Sequence, residues 1–325
     1  MGIRIVDAEH GAPQRVETAA EIAVRIGRDE QWIIERTGVA FRHVAEPDCH
    51  PAELAAEVAG RLLQRQPGAA SQVDWLLHAS ATRWQSIPDT SVFVQRALEL
   101  HGVPSLSVQA TCLSFLPALQ LAEGLLAAGR ASRVLITTAE LPCRVRDFAQ
   151  PESAALLGDG AAAVLLEWTP NDPGGIVHYA METWSDGAEF AEIRGGGHRC
   201  LPGLPETSLQ DSLFHMDGER LLRAGVPRMR KFMNRFWKAS DLSPDDIDLV
   251  VPHQPSAASL KVLSRLGFSS EQVVDILSKY GNCVAASMPM ALSIAHRDGR
   301  LQRGDRVLLL GTAAGISLGA MVLTW

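Results

Sequence analysis

The sequence predicts an α/β protein in which buried strands alternate with helices and one half of the chain repeats the other. Short runs rich in Val, Ile and Leu have the length and composition of strands, and stretches rich in Ala and Leu separate them. The runs are DWLLHAS (74–80), SLSVQA (105–110), RVLITT (133–138), AAAVLLE (161–167), DLVVP (248–252), VVDIL (273–277) and RVLLLG (306–311). Because few polar residues interrupt these runs, we expect both faces of the sheets to be buried.

An internal duplication is indicated by two segments that resemble each other. RASRVLITTAE (130–140) is similar to RGDRVLLLGTA (303–313), and a long helical stretch precedes each segment. Cys112 opens the first of these stretches and Asn282 opens the second, in matching places. Alternating α/β sequences also produce such similarities by chance, so the duplication needs support from a more specific pattern.

A boundary between the two halves is predicted in TPNDPGG (169–175), a segment dense in turn-forming residues. The N-terminal half, residues 1–172, would carry the cysteine. The C-terminal half, residues 173–325, would carry a histidine and the asparagine.

Composition narrows the class of protein. A chain of 325 residues with 46% hydrophobic residues can bury a core without disulfides, and its five cysteines form no C-x-x-C pair: Cys49, Cys112, Cys143, Cys200 and Cys283. The pattern favours a reducing compartment and predicts no metal site. Since no signal sequence and no apolar run of about 18 residues is found, we expect a soluble, cytoplasmic protein without a membrane partner. A net charge of −7 argues against nucleic acid as a partner.

Cys112, His253 and Asn282 each lie where a strand gives way to a helix. A cysteine that opens a helix ending near Gly129 would have a lowered thiol pKa, because backbone N–H groups and the helix dipole favour the thiolate. A histidine and an asparagine at the carboxyl ends of strands could bind a carbonyl oxygen. Taken singly, the cysteine could be a buried structural residue, and the other two could cap turns.

Together these residues and their surroundings resemble the thiolase superfamily, and most closely its β-ketoacyl-acyl-carrier-protein synthase III group. The motifs VVPHQPS at His253 and KYGNCVAAS at Asn282 carry the resemblance. Further motifs follow in the same order: DEQWIIERTGVAFRHVA (29–45), LLGDGAAAVLLE (156–167), WSDGAEF (184–190) and RVLLLGTAAGISLGAMVL (306–323). The resemblance implies the thiolase fold, five layers α-β-α-β-α with two similar βα-repeat halves, and a homodimer.

The resemblance also implies a role for each site residue. Cys112 would accept an acyl group from a thioester, and the backbone N–H groups of Cys112 and Gly315 would stabilise the oxyanion. His253 and Asn282 would bind the carbonyl of a malonyl-type thioester while it loses carbon dioxide. No permanently bound cofactor and no metal is implied, since coenzyme A or phosphopantetheine thioesters are the substrates.

Trp32, Arg36 and Thr37 match the group's coenzyme A-contacting positions, where the ring would stack on adenine and the cation would meet phosphate. The alternative for Trp32 is a core aromatic.

Several residues depart from the group's pattern. Pro151 and Glu152 stand where the group often has an arginine, and HQPS, the Leu and Ser after the cysteine, and AAG are further departures. We therefore expect an unusual acyl chain or acceptor in specialised metabolism, with condensation as the reaction and transfer to a hydroxyl or amine as the alternative.

A basic run, RLLRAGVPRMRKFMNRFWK at Arg220–Lys238, holds seven Lys or Arg and no acid. It predicts either a docking surface for an acidic acyl carrier protein or an ordinary solvated helix face.

Three other classes of protein fit the sequence less well. A papain-like protease is not supported, because no CGSCW signature surrounds Cys112. Nucleotide hydrolysis is not supported, because RGGGH (194–198) lacks the context of a phosphate loop. A non-catalytic ketosynthase-like partner subunit stays as a further alternative, although such relatives usually lose the cysteine.

Overall fold

The computed structural model describes residues 2–66, 68, 72–170 and 174–325, so the predicted boundary at 172/173 lies outside the described residues. The strands are β1 (Ile3–Gly11), β2 (Val16–Thr18), β3 (Phe41–His43), β4 (Trp75–Ala79), β5 (Ser105–Val108), β6 (Arg133–Glu140), β7 (Gly160–Trp168), β8 (Gly175–Thr183), β9 (Ala191–Glu192), β10 (His215–Met216), β11 (Leu249–Pro252), β12 (Arg306–Ala313) and β13 (Ser317–Thr324). The helices are α1 (Ala19–Ile26), α2 (Glu30–Thr37), α3 (Pro51–Arg65), α4 (Thr90–Ala97), α5 (Phe115–Ala127), α6 (Pro151–Leu156), α7 (Gly218–Ser240), α8 (Ala257–Arg265), α9 (Leu277–Tyr280) and α10 (Ser287–Arg297).

Two large sheets have the same strand order. The first runs β1-β7-β6-β4-β5, and the second, taken from its other end, runs β8-β13-β12-β11. The strand directions of the four matching strands agree, because β4 and β11 pair in parallel with β6 and β12 while the other matching pairs are antiparallel. The first sheet has a fifth strand, β5, which pairs in parallel with β4 and has no counterpart strand among the described residues of the second sheet. The repeat predicted from the sequence is therefore present in the order and direction of the strands.

The elements stack in five layers, as the resemblance implied. Helices α3 and α4 cover the outer face of the first sheet, and α7 packs on the outer face of the second. Helices α5 and α10 lie between the sheets and contact strands of both. Helices α5 and α10, one from each half, thus form the middle layer that both sheets share.

Successive side chains of each central strand point into two different hydrophobic cores, one on each face of the sheet, which explains why the strand sequences are continuously apolar. In β7, Ala161, Ala163 and Leu165 face the outer helices, whereas Val164 and Leu166 face the middle layer. Strands β12 and β13 divide their side chains between the middle layer and the α7 side in the same way. Since both faces are buried, no polar face remains to produce an alternating pattern.

The strand predicted at 273–277 is wrong, because only Val273 pairs, in an isolated parallel bridge with Val250. The side chain of Gln254 takes the place of a longer ladder. Its amide donates to the carbonyl of Val274 at 2.9 Å, and its carbonyl oxygen accepts from the N–H of Ile276 at 3.3 Å. A buried side-chain amide thus satisfies the backbone at this edge of the second sheet.

Within the described residues, every helix is too short or too polar to cross a membrane.

Candidate active site

A cavity of about 590 Å³ lies between the two halves and is lined by Cys112, His253 and Asn282. The cysteine comes from the first half, and the other two residues come from the second. The structure therefore brings together the three residues that the sequence singled out. It also places Arg36 and Thr37 on the lining, whereas Trp32 is not part of it.

Cys112 stands on a tight turn between β5 and α5. Thr111 has a φ of 48°, a left-handed conformation that is strained for a β-branched residue. The Ser114 hydroxyl donates to the Thr111 carbonyl at 2.6 Å and accepts from the Ala110 N–H at 2.9 Å, which closes the turn. The helix begins at Phe115, so the prediction that Cys112 opens it is wrong by three residues.

The Cys112 thiol is not the thiolate that the sequence suggested. Burial, with a smaller contribution from the nearby Glu140 carboxyl, raises the pKa of Cys112 to about 12. Backbone N–H groups of Ala314 and of Cys112 itself lower the pKa, but burial outweighs them. Cys112 is therefore a neutral thiol at rest, and it would have to lose its proton to act as a nucleophile.

The backbone donor next to the sulfur belongs to Ala314, one residue before the predicted Gly315. Ala313 and Ala314 line the cavity, whereas Gly315, with a φ of 103°, turns the chain from β12 towards β13 and does not line it. Backbone N–H groups of Cys112 and Ala314 thus both interact with the sulfur. Backbone donors held beside a nucleophile in this way could stabilise an oxyanion.

His253 follows β11 and is held by its backbone N–H, which donates to the Leu310 carbonyl at 2.9 Å. Gly311 on the neighbouring strand permits this approach, because a Cβ there would lie 2.8 Å from the Cβ of His253. Burial lowers the pKa of His253 to about 4, so the imidazole is neutral near pH 7. Its Nδ1 is buried and has no hydrogen-bond partner among the described residues.

Asn282 is fixed by its backbone and by its side-chain oxygen. Its N–H donates to the Leu156 carbonyl at 2.8 Å, and its carbonyl accepts from the Gly158 N–H at 3.1 Å. The Oδ1 atom accepts from the Val284 N–H at 2.8 Å. Since Oδ1 is occupied in this way, the amide NH2 is the group that Asn282 can offer to the cavity.

The residues predicted to contact coenzyme A have different surroundings. Thr37 is buried, and its hydroxyl donates to the Ile33 carbonyl at 2.7 Å. Trp32 is half-buried against the core around α1 and α6, and the Arg28 guanidinium lies 5.3 Å from its ring centroid. Arg36 is paired with Glu152, a residue that the sequence marked only as a departure from the group's pattern.

The basic run forms part of α7, and its charges differ in their partners. Three arginines pair with acids, namely Arg220 with Asp217, Arg228 with Asp186 and Arg235 with Glu182. The other four basic residues are exposed and make no ion pair within the described part of the chain: Arg223, Arg230, Lys231 and Lys238. At about 100° per residue these four fall on one flank of the helix.

Strand β5 is an edge strand of the first sheet, and all four of its residues are only partly buried. Helix α4 packs beside it. Trp84, Ile87 and Val92, in and before α4, expose large apolar side chains. An uncovered strand edge next to exposed apolar residues is typical of a surface that pairs with another chain.

Among the described residues, no group of three or more His, Cys, Asp or Glu side chains is arranged to hold a metal ion.

Comparisons with known proteins identify the family of the chain. A family model for 3-oxoacyl-[acyl-carrier-protein] synthase III matches residues 106–185, and the model for its C-terminal part matches residues 237–325. The chain is 33% identical over 314 residues to the β-ketoacyl-[acyl-carrier-protein] synthase III of Erythrobacter litoralis, with 96% of each chain covered. It is 31% identical over 330 residues to the enzyme of that name from Rhizobium rhizogenes, covering 99% of this chain and 100% of the relative. The crystal structure of 3-oxoacyl-[acyl-carrier-protein] synthase III from Aquifex aeolicus superimposes with a TM-score of 0.90 at 26% identity, over the full length of both chains.

Proposed function

Because the chain belongs to the 3-oxoacyl-[acyl-carrier-protein] synthase III family, and is thus a condensing transferase of the thiolase fold, we propose that it loads an acyl group onto Cys112 and condenses it with a malonyl-type or β-keto thioester. One observation carries the proposal. The thiol of Cys112, the neutral imidazole of His253 and the amide of Asn282 line a single cavity. That set suits covalent acyl transfer followed by formation of an enolate.

In the first half-reaction the sulfur of Cys112 attacks the thioester carbonyl. A bond forms between the sulfur and the acyl carbon, the bond to the donor's sulfur breaks, and the cysteine proton ends on the donor thiol. The N–H groups of Cys112 and Ala314 hold the negative charge that develops on the carbonyl oxygen. A pair of such donors, fixed in place before the reaction, contributes about 10²–10³ in rate per donor.

In the second half-reaction a malonyl thioester loses carbon dioxide, and the electron pair of the broken bond moves into an enolate. The imidazole of His253 and the NH2 group of Asn282 donate to the enolate oxygen. The enolate carbon then bonds to the acyl carbon, and the sulfur of Cys112 leaves as thiolate. Because a His253 pKa of about 4 keeps the ring uncharged near pH 7, it stabilises the enolate by hydrogen bonding without becoming an imidazolium.

Retention of both donors favours condensation over the alternative. Acyl transfer to a hydroxyl or amine needs a base to remove a proton, and His253 alone could serve as that base. The departures HQPS and AAG keep this ester- or amide-forming reaction as the second candidate, and they support a place in specialised metabolism. A non-catalytic partner subunit is the third, and retention of Cys112 speaks against it.

We also propose the partners. The donor thioester enters past Trp32, Arg36 and Thr37, and an acyl carrier protein docks on the unpaired flank of α7. Two copies form a homodimer along β5, and no cofactor is permanently bound. Sedimentation velocity tests the dimer. Charge reversal at Arg223 and Arg230 should raise KM for a carrier-protein thioester, but not for a pantetheine thioester, if the dock is assigned correctly.

The decisive experiment separates the two half-reactions. Wild-type protein is acylated from a panel of acyl thioesters, followed by intact mass, and then given malonyl thioester. We expect carbon dioxide and a lengthened product. Asn282→Ala should still load Cys112 but release no carbon dioxide, and Gln302→Ala, an exposed residue that does not line the cavity, is the control. Discharge of the acyl-enzyme by an alcohol or amine, with no carbon dioxide from malonyl thioester, would establish the second candidate instead.

A further inference from the structure

The mouth of the cavity holds one cation, and that cation is already paired. Among the described residues that line the cavity, Arg36 is the only Lys or Arg, and the acids are Glu152 and Glu219. Nε of Arg36 donates to Oε1 of Glu152 at 2.8 Å, and Nη2 lies 2.7 Å from the same oxygen. With His253 neutral, the lining carries one more negative charge than positive.

Two packed helices hold this ion pair in place. Arg36 lies near the end of α2, which is anchored by the buried Ile33, and Glu152 lies in α6, which is anchored by the buried Ala154 and Ala155. The two side chains remain about half exposed, at 59% and 47%, so the pair adds little to the stability of the fold. The packing nevertheless keeps a carboxylate beside the guanidinium, where an incoming phosphate would have to bind.

Much of the remaining lining is apolar. Helix α7 contributes Leu221, Leu222 and Val226, and the α8 side contributes Leu260 and Val262. The hydroxyls of Ser256 and Ser259, also on the α8 side, lie 3.2 Å apart and carry no charge. This part of the lining can therefore contact an acyl chain or an uncharged pantetheine arm, and it holds no cation for a phosphate.

We propose that Glu152 is a specificity-determining residue: by pairing with Arg36 it disfavours donors that bring the nucleotide phosphates of coenzyme A. The favoured donor is then an acyl group on a pantetheine arm that brings only the arm's own phosphate, as on a carrier protein, and not the further phosphates of the nucleotide. This inference rests on the proposed function, since it presumes that Cys112 accepts an acyl group. It specifies which class of thioester donates the acyl group, a question that the three residues Cys112, His253 and Asn282 do not answer.

The test compares loading of Cys112 from acyl-coenzyme A with loading from the same acyl group on free pantetheine. Glu152→Gln releases Arg36 for phosphate, so the ratio of kcat/KM for acyl-coenzyme A to that for acyl-pantetheine should rise about threefold to tenfold, mainly through KM. Glu35→Gln is the matched control. It removes one exposed negative charge from α2, the helix of Arg36, where the Glu35 carboxylate accepts a hydrogen bond from Gln31, and the ratio should stay as in the wild type.

A second background shows whether Arg36 is responsible. In Arg36→Ala protein, Glu152→Gln should lose most of its effect, because no guanidinium remains to be released. The inference is overturned if the ratio does not rise, or if it rises equally in the Arg36→Ala background or in Glu35→Gln. Loading from acyl-pantetheine confirms in each variant that the site is folded. Failure of the wild type to load from any thioester would refute the proposed function itself, which is a different result from an unchanged ratio.

Discussion

The two halves of the molecule each bury a histidine at matching strands, and only one of them faces the cavity. His78 lies in β4, and His253 follows β11, the corresponding strand of the second sheet. Burial lowers the pKa of each to about 4. Nδ1 of His78 lies 3.1 Å from Oγ1 of Thr137 and its Nε2 lies 2.9 Å from Oγ of Ser80, whereas Nδ1 of His253 has no partner among the described residues.

A perturbed pKa therefore does not distinguish a functional histidine from a structural one in this fold. An unpaired ring nitrogen is not sufficient either, because Nε2 of His178 and Nδ1 of His296 are also buried without a partner among the described residues. Of these three histidines only His253 lines the cavity, where a ligand could supply the missing partner. The halves share their architecture, and under the proposed function they divide the chemistry. The first would hold the nucleophile, and the second would hold the groups that bind a second substrate.

The largest expected effect tests whether the nucleophile belongs to the first half alone. Cys112→Ala should reduce acyl loading by at least ~10³-fold, because no other thiol lies beside the two backbone donors. Intact mass after incubation with acyl thioester measures it, and Cys49→Ala, a partly buried cysteine of the same half, is the control. An acyl adduct on the Cys112→Ala protein would break the comparison.

The two histidines provide the next test. His253→Ala should lower carbon dioxide release from malonyl thioester by ~10²–10³-fold, since one of two donors to the enolate is lost. His78→Ala should leave the rate per folded molecule unchanged, while costing about 1–3 kcal/mol of unfolding free energy because Thr137 and Ser80 lose their partner. Decarboxylation assays and denaturant titrations on both variants measure this. Equal losses of rate in the two variants would contradict the division of roles.

In stability, by contrast, the two histidines should behave alike. Each has a folded-state pKa of about 4, below its ordinary value of 6.5, so the unfolded chain binds more protons between these pH values. The free energy of unfolding should therefore fall as pH drops from 6.5 to 4, by up to about 3 kcal/mol per histidine. Removing either one should flatten the curve by a similar amount, as urea titrations at several pH values would reveal.

The smallest effect concerns the edge of the second sheet, where an isolated bridge at Val273 stands in place of a strand such as β5. Gln254→Ala leaves the Val274 carbonyl and the Ile276 N–H without their side-chain partner, and it should cost about 1–3 kcal/mol of unfolding free energy. The exposed Gln302→Ala should cost less than about 0.5 kcal/mol. Thermal or urea unfolding compares the two, and equal costs would remove Gln254 from its bridging role.

The sequence predicted most of the fold because the central strands are buried on both faces and are therefore continuously apolar. It did not predict β1 as a strand, although β1 pairs with β7 along its whole length. The reason is chemical: β1 contains the buried acids Asp7 and Glu9, which pair with Arg65 of α3 and Arg297 of α10. Partners so far away in the chain cannot be read from a local pattern.

The site was predicted in its residues but not in its electrostatics. Cys112, His253 and Asn282 line one cavity, as expected, and the motifs that contain them made this possible. The thiol pKa was predicted in the wrong direction, because burial by the second half outweighs the nearby backbone N–H groups. The shift from Gly315 to Ala314 is a matter of turn geometry, which a run of small residues does not specify.

The left-handed Thr111 has a consequence for anyone who would improve this protein. A β-branched residue at this φ stores about 1–3 kcal/mol of strain, so the turn that carries the nucleophile is a point at which stability has been given up. A glycine there would relax the backbone and also widen the range of positions open to the sulfur. Selection for thermal stability should therefore favour glycine at position 111, with a loss of turnover. Mutant libraries that are meant to preserve activity should keep Thr111 unchanged.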